Sequence, residues 1–102
     1  MNITNLESLH YTPGTSFYDS TIRATVNELI EVLGKPCNQS NNGQDKVNFE
    51  WNCKTEDGDV FTIYDWKEYR SISEDEQIDW HVGGKSKFHT STMADLVKSR
   101  LN

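Results

Sequence analysis

The chain has 102 residues, of which 16 are acidic and 10 basic, so its formal charge is −6. This length is typical of one domain with one core, and the acidic balance argues against sequence-independent binding to nucleic acid, which needs a Lys/Arg-rich surface. Its apolar runs are far shorter than the ~20 residues that span a bilayer, and it has no secretion-signal pattern. We expect a cytoplasmic protein with no membrane partner.

The first 16 residues are polar and contain the turn dipeptide Pro13-Gly14. We predict that residues 1–16 form a flexible segment and that residues 17–102 form a single domain. Polarity alternates from Phe17 to Arg23, which predicts a short strand. One side of that strand would carry Tyr18, Ser20, Ile22 and Ala24.

A helix is predicted at about 25–33. Thr25-Val26-Asn27-Glu28 has the pattern of a capping box, in which Thr25 and Glu28 each accept a hydrogen bond from the other's backbone N–H. Apolar residues follow at helical spacing, and Gly34 and Pro36 are typical of a helix end. The polar residues 37–44 predict a loop.

A hairpin is predicted around Asp57-Gly58, which lies between two alternating runs. If these two residues are the centre of a two-residue turn, Trp51 faces Tyr64 and Phe49 faces Trp66 on one side of the sheet. On the other side, Glu50 would face Asp65. Two opposed carboxylates are unfavourable unless a cation or a ligand offsets them.

A third strand is predicted at 78–84, and a C-terminal helix from about 91 with Thr90 or Ser91 as its N-cap. The predicted fold is therefore a small α+β domain in which a three- to four-stranded antiparallel meander packs against two helices. The predicted core consists of Leu29, Ile30, Leu33, Val47, Phe49, Trp51, Tyr64, Leu96 and Val97.

The segment between the second and third predicted strands ends in an acidic run. Such a run is either a solvated loop or a docking patch for a basic surface. Its candidate partner-binding residues are Glu74, Asp75, Glu76 and Asp79.

Polar and aromatic residues on the second and third predicted strands form the candidate ligand site. Lys67 and His81 would offer donors to an anion, and Gly83-Gly84 would let backbone N–H groups approach it. The alternative is a structural network in which Lys67 pairs with Asp65 and Glu50. The candidates are Glu50, Asp65, Trp66, Lys67, Trp80, His81, Gly83, Gly84, Lys85 and Ser86.

Evidence for catalysis is weaker. His81 and Asp65 could act as a base and its orienting carboxylate in a small hydrolase, but no nucleophile with a local signature accompanies them. The cysteines Cys37 and Cys53 have neither zinc nor redox spacing, and the histidines and carboxylates show no metal-ligand pattern. We therefore predict a protein that is not an enzyme and has neither a metal nor a cofactor.

Three sequence segments resemble a group of small proteins encoded by bacteriophages and related mobile elements. The pattern is DKVxxEW, then DGxxxTIYDWK, then WHVGGxS, which covers Asp45 to Trp51, Asp57 to Lys67 and Trp80 to Ser86. The resemblance also takes in Leu29 to Pro36, so it spans about residues 25–86. Small acidic phage proteins often act against host immunity. The resemblance therefore implies this general class of function and no specific activity.

Two binding functions follow as expectations. The first is a non-enzymatic, anti-CRISPR-like phage protein that acts in the host cytoplasm and inhibits a defence system by binding an effector protein. The second is a sponge that sequesters an anionic nucleotide messenger between Lys67, His81, Lys85 and a tryptophan ring. A sponge gains capacity by assembling, so a homo-oligomer would favour the second.

Overall fold

The computed structural model describes residues 3–6, 15–44 and 46–101. Within these residues the α+β class is confirmed, with five strands and two helices. The elements are β1 (Ile3–Asn5), β2 (Ser16–Ala24), α1 (Val26–Leu33), β3 (Glu50–Thr55), β4 (Val60–Tyr64), β5 (Ile78–Gly84) and α2 (Lys87–Lys98).

The sheet has the order β1-β3-β4-β5-β2, and every neighbouring pair is antiparallel. The predicted meander β3-β4-β5 is therefore its centre, and β2 confirms the strand predicted near Phe17. The edge strand β1 was missed, because three residues are too few to show alternation. The side chain of Asn5 donates to the carbonyls of Leu33 and Lys35, at 3.0 and 2.6 Å, so this part of segment 1–16 is anchored. The turn predicted at Pro13-Gly14 lies outside the described residues.

The predicted register of the central hairpin is wrong by one residue. Trp51 faces Ile63 and Glu50 faces Tyr64, because the loop has three residues (56–58) instead of two. Gly58 takes the left-handed conformation at φ 91°, and its N–H donates to the carbonyl of Thr55 at 2.9 Å. Asp-Gly suits this longer turn as well as the two-residue one. A slip of one residue changes which side chains share a face.

The capping box of α1 is confirmed. The backbone N–H of Glu28 donates to Thr25 Oγ1 at 3.1 Å, and the N–H of Thr25 donates to Glu28 Oε1 at 2.9 Å. At the other end, the N–H of Gly34 donates to the carbonyl of Ile30 at 2.7 Å. Ile30 itself was wrongly placed in the core, since its side chain turns partly to solvent.

Helix α2 begins four residues before the predicted start at about 91. Its N-cap is Ser86, whose hydroxyl accepts from the N–H of His89 at 3.1 Å. The predicted cap Thr90 instead lies inside the helix, where its buried hydroxyl donates to the carbonyl of Ser86 at 2.6 Å. Both residues are good N-caps, and the one that follows the strand directly takes the role.

The core lies between the two helices and one face of the sheet. Its centre is an edge-to-face pair of tryptophans, Trp51 and Trp80, whose ring centroids are 5.5 Å apart. The indole N–H of Trp80 donates to the carbonyl of Ala24, before α1, and that of Trp51 donates to the carbonyl of Gly34, after it.

Most of the predicted core is confirmed: Leu29, Leu33, Phe49, Trp51 and Val97 are buried. Besides Ile30, three residues predicted there are partly exposed: Val47, Tyr64 and Leu96. The correction at Tyr64 follows from the hairpin register. Buried residues that the predicted core did not include are Ile22, Phe61, Ile63, Trp80 and Val82, among others.

We expect Trp80→Phe to lower the free energy of unfolding by about 2–4 kcal/mol, because it removes packed ring atoms and leaves the carbonyl of Ala24 without its donor. Urea denaturation followed by circular dichroism measures the change. The matched control is Trp66→Phe on the surface, which should change stability by no more than about 0.5 kcal/mol. Equal losses in the two variants would contradict the role given to the indole.

Candidate functional site

The sheet face opposite the helices carries a group of aromatic rings, here called the aromatic patch: Phe17, Tyr64, Trp66 and His81. The rings of Phe17 and His81 stack with centroids 4.0 Å apart, and Tyr64 packs against His81 at 5.6 Å and against Trp66 at 6.1 Å. Phe17 and Trp66 are 39% and 41% exposed, whereas Trp51 and Trp80 are fully buried. The patch is therefore a continuous aromatic surface that is partly exposed to solvent.

An irregularity in β2 brings Phe17 into the patch. Phe17 pairs with Gly83 and Thr21 pairs with His81, so residues 18–20 of β2 lie against one residue of β5. Asp19, within the irregular stretch, has a φ of 67°, which is unusual for a residue other than glycine. Gly83 carries no side chain, and a Cβ there would lie 2.5 Å from Thr62 Oγ1. A side chain at this position would therefore force Thr62 to move.

His81 acts in the patch as an aromatic ring more than as a cation. Burial lowers the pKa of His81 below its ordinary value, and the negative charge of Asp79 opposes this shift only in part. The ordinary pKa of about 6.5 is already below neutrality, so the imidazole is mostly neutral at pH 7. This weakens the predicted role of His81 as a charged donor to an anion.

Two lysines border the exposed indole. The ammonium groups of Lys46 and Lys67 lie 5.8 and 5.5 Å from the centroid of the Trp66 ring. The backbone N–H of Lys67 donates to the carbonyl of Lys46 at 2.8 Å, which holds the two lysines side by side. Such cation–π contacts leave part of the Trp66 ring available for further contact.

A cleft of about 270 Å³ crosses the same sheet face beside Trp66. Glu50 and Tyr64, which face each other across β3 and β4, belong to its floor. Burial raises the pKa of Glu50, although a hydrogen bond with Asn52 opposes the shift. Burial and the charge of Glu50 also raise the pKa of Tyr64. The lining residues are Thr15, Ser16, Val47, Glu50, Thr62, Tyr64, Trp66 and Gly83.

Asp65 does not face Glu50 and does not belong to this site. Its buried carboxylate accepts hydrogen bonds from the backbone N–H groups of Asn48 and Phe49, both at 2.8 Å, and from Asn48 Nδ2 at 3.0 Å. The alternation of β4 places Asp65 on the side of Ile63, away from His81. The predicted cluster of Glu50, Asp65 and His81 is wrong for this reason, as is the His81–Asp65 pair of a hydrolase.

Asn48 links Asp65 to the two loops that flank the site. Its side-chain amide also donates to the carbonyl of Arg70 at 2.9 Å, and its oxygen accepts from the N–H of Gly43 at 3.0 Å. These bonds join the loop before β3 to the loop after β4. The loops carry Lys46, Trp66 and Lys67, so the Asp65–Asn48 network positions these residues by holding the two loops together.

Several predicted ligand residues have other roles in the structure. Trp80 is buried in the core and cannot stack on a ligand. Gly83 and Gly84 lie buried within β5, where they leave room for the side chains of Thr62 and Thr90, so they do not form an anion-binding turn. Ser86 caps α2.

Lys85 also lies apart from the aromatic patch. It lines a separate pocket with Gly58, Asp59, Val60 and His89. At about 3.3 Å per residue along the strand direction, it is roughly 13 Å from His81. Lys67, His81 and Lys85 are therefore not gathered around one ligand.

The acidic segment is largely paired with the protein's own side chains. Glu76 forms two hydrogen bonds with Arg70, at 2.8 and 2.5 Å, and Asp75 accepts from Asn27 Nδ2 at 2.8 Å. Asp79 lies 3.5 Å from Arg23, and the backbone carbonyl of Glu74 accepts from the N–H of Asn27. These contacts favour a solvated structural segment over a docking patch.

Five of the predicted site residues lie on the sheet face opposite the helices: Glu50, Trp66, Lys67, His81 and Gly83. The prediction missed Phe17, Lys46 and Tyr64. Tyr64 could have been found by counting alternation in the correct register, whereas Phe17 depends on the irregularity in β2. No simple sequence signal marks that irregularity.

Comparison with protein-family profiles, curated proteins and solved structures finds no match. Among residues 3–6, 15–44 and 46–101, no cluster of His, Cys, Asp and Glu side chains has the geometry of a metal site. In the same residues, neither helix has the length and apolar character needed to cross a membrane.

We expect Asp65→Asn to lower the free energy of unfolding by roughly 1.5–3 kcal/mol, because an amide nitrogen would replace an acceptor of charge-assisted hydrogen bonds. Chemical denaturation measures the loss. Asp57→Asn in the exposed turn is the matched control and should be nearly neutral. An Asp65→Asn variant as stable as the parent would refute the structural role.

Glu50→Gln should stabilise the protein at neutral pH. Because burial raises the pKa of Glu50 in the folded state, the folded protein binds this proton more tightly than the unfolded chain. Stability is therefore lost as the pH rises from the unfolded pKa, about 4.3, through the folded pKa. The glutamine variant has no such loss, so its advantage should appear at pH 7 and shrink near pH 4.

Urea denaturation at both pH values tests this prediction, with Glu31→Gln on the exposed side of α1 as the control. A glutamine variant that is less stable than the parent at pH 7 would contradict the prediction and show that the charged carboxylate stabilises the folded state.

Proposed function

We propose that this protein is a non-enzymatic binding protein and that its contact surface is the aromatic patch with the adjoining cleft. The exposure of Trp66 and Phe17 carries the proposal, since the sheet buries two other tryptophans completely. Exposed aromatic residues that adjoin one another are typical of interaction surfaces, and tryptophan and tyrosine are enriched among the residues that dominate binding energy.

A partner protein fits this surface better than an anionic nucleotide does. Among the described residues, the cations placed over the Trp66 ring are Lys46 and Lys67, while Glu50 adds a carboxylate in the cleft. The nucleotide sponge had relied on Lys85 and on Gly83-Gly84, and these residues lie elsewhere or serve packing. A broad aromatic surface with a small cleft is better suited to side chains of another protein.

The arrangement of His81 supports binding over catalysis. The ring of His81 stacks on Phe17. Asp65, the carboxylate expected to orient His81, lies on the opposite face of the sheet and accepts hydrogen bonds from backbone N–H groups there. General acid–base catalysis needs the proton donor and acceptor within hydrogen-bond reach of each other or of the substrate. A hydrolase based on these two residues has no geometric support.

The resemblance to small phage proteins suggests the identity of the partner. We propose a host defence protein whose action is blocked by occupation of its surface. The acidic segment contributes less than its charge suggests, because Glu76, Asp75 and Asp79 are engaged internally.

Affinity capture from bacterial lysate, followed by calorimetry with the identified protein, tests the proposal. Trp66→Ala should weaken binding by at least about thirtyfold, the effect of losing one dominant aromatic contact. Phe88→Ala is the matched control, because Phe88 is 75% exposed on α2, outside the patch. Glu74→Gln should bind normally.

Two results would contradict the proposal. If Trp66→Ala and Phe88→Ala bind the same partner equally well, the aromatic patch is not the contact surface. If the captured protein has no role in defence, the inhibitory function fails even though a binding function stands.

A further inference from the structure

Resting on the function proposed above, we infer that the cleft receives an arginine side chain of the partner protein, with Glu50 as its counter-ion and Tyr64 and Trp66 as aromatic contacts. The inference specifies the chemistry of the partner at one position. It adds a charged anchor to the apolar contact of the aromatic patch.

Among the described residues, no cation pairs with the half-buried carboxyl group of Glu50. None of the ion pairs within residues 3–6, 15–44 and 46–101 includes it. The side chain of Asn52 supplies a hydrogen bond, but burial still raises the pKa of Glu50. A carboxylate held out of water without a counter-ion is unfavourable, and an incoming cation removes that penalty.

The other groups around the cleft suit a guanidinium in particular. Thr62, Tyr64 and Trp66 line it together with Glu50. A guanidinium is planar, carries five N–H donors, stacks on aromatic rings and binds a carboxylate through two parallel hydrogen bonds. An ammonium group on a lysine lacks the planar contact. The site therefore favours arginine over lysine.

The size of the cleft agrees with one side chain. Its volume of about 270 Å³ lies just below the range of roughly 300–1,000 Å³ that is typical of whole small-molecule sites. An extended side chain that enters from a neighbouring protein needs less room than a complete ligand.

The charges around the cleft are compatible with a cation. Lys46 and Lys67 lie over the Trp66 ring and are not among the residues that line the cleft, so their repulsion of a cation acts from outside it. Coulomb energy falls with both distance and dielectric constant, so direct contact with Glu50 outweighs it. The formal charge of −6 also attracts a basic partner.

Nuclear magnetic resonance on the ¹⁵N-labelled full chain tests the inference with N-acetyl-arginine amide as the probe. The matched probe is N-acetyl-citrulline amide, which has the same shape without the charge. We expect saturable shifts in the amide signals of Glu50, Thr62, Tyr64 and Gly83 and in the indole signal of Trp66. Citrulline should bind at least about tenfold more weakly.

Glu50→Gln should reduce arginine binding to the level of citrulline, while Glu31→Gln should leave it unchanged. Absence of saturable shifts, or equal binding of arginine to the Glu50→Gln protein, would overturn the inference. Guanosine 5′-monophosphate is a third probe. If it shifts the same signals more strongly than arginine does, the cleft is a nucleotide site and the inference is wrong.

Failure here can be separated from failure of the proposed function. If arginine does not bind but Trp66→Ala abolishes partner capture, the aromatic contact stands and only the anchor is wrong. If arginine binds through Glu50 but Trp66→Ala leaves partner capture intact, the cleft is real and the proposed contact surface is wrong.

Discussion

Two buried indoles determine how this small domain is assembled. Trp51 and Trp80 meet edge to face on the inner side of the sheet, and each donates a hydrogen bond to a backbone carbonyl at one end of α1. Aromatic pairs of this geometry stabilise a core by about 0.5–1.5 kcal/mol beyond the area that they bury. The helix is thereby held at both ends against one face of the sheet, and the aromatic patch lies on the other face.

Local signals in the sequence predicted the elements well, because each depends on residues close together in the chain. The capping box at Thr25 and Glu28 is satisfied within a single helical turn. The hairpin register depends on the turn, and Asp57-Gly58 is compatible with loops of two or three residues. In the structure the hydroxyl of Thr55 accepts from the N–H of Asp59, which supports the longer loop.

That one-residue difference separates the predicted site from the observed one. Alternation permitted Glu50 and His81 to share a face, as they do, but it also permitted Asp65 to join them. With the actual register, Asp65 turns inward and organises the start of β3, while Tyr64 takes its place beside His81. Trp80 was predicted in the site because it adjoins His81 in sequence, although successive residues of a strand point to opposite faces.

The irregularity at Asp19 has a further consequence for how copies of the protein meet one another. Among the described strands, β2 has a single neighbour, so it forms an edge of the sheet. A regular edge of nine residues would be a template on which the strands of other molecules could add. The left-handed residue in its middle interrupts that template. The distortion that sets Phe17 against His81 therefore also disfavours polymerisation through this edge of the sheet.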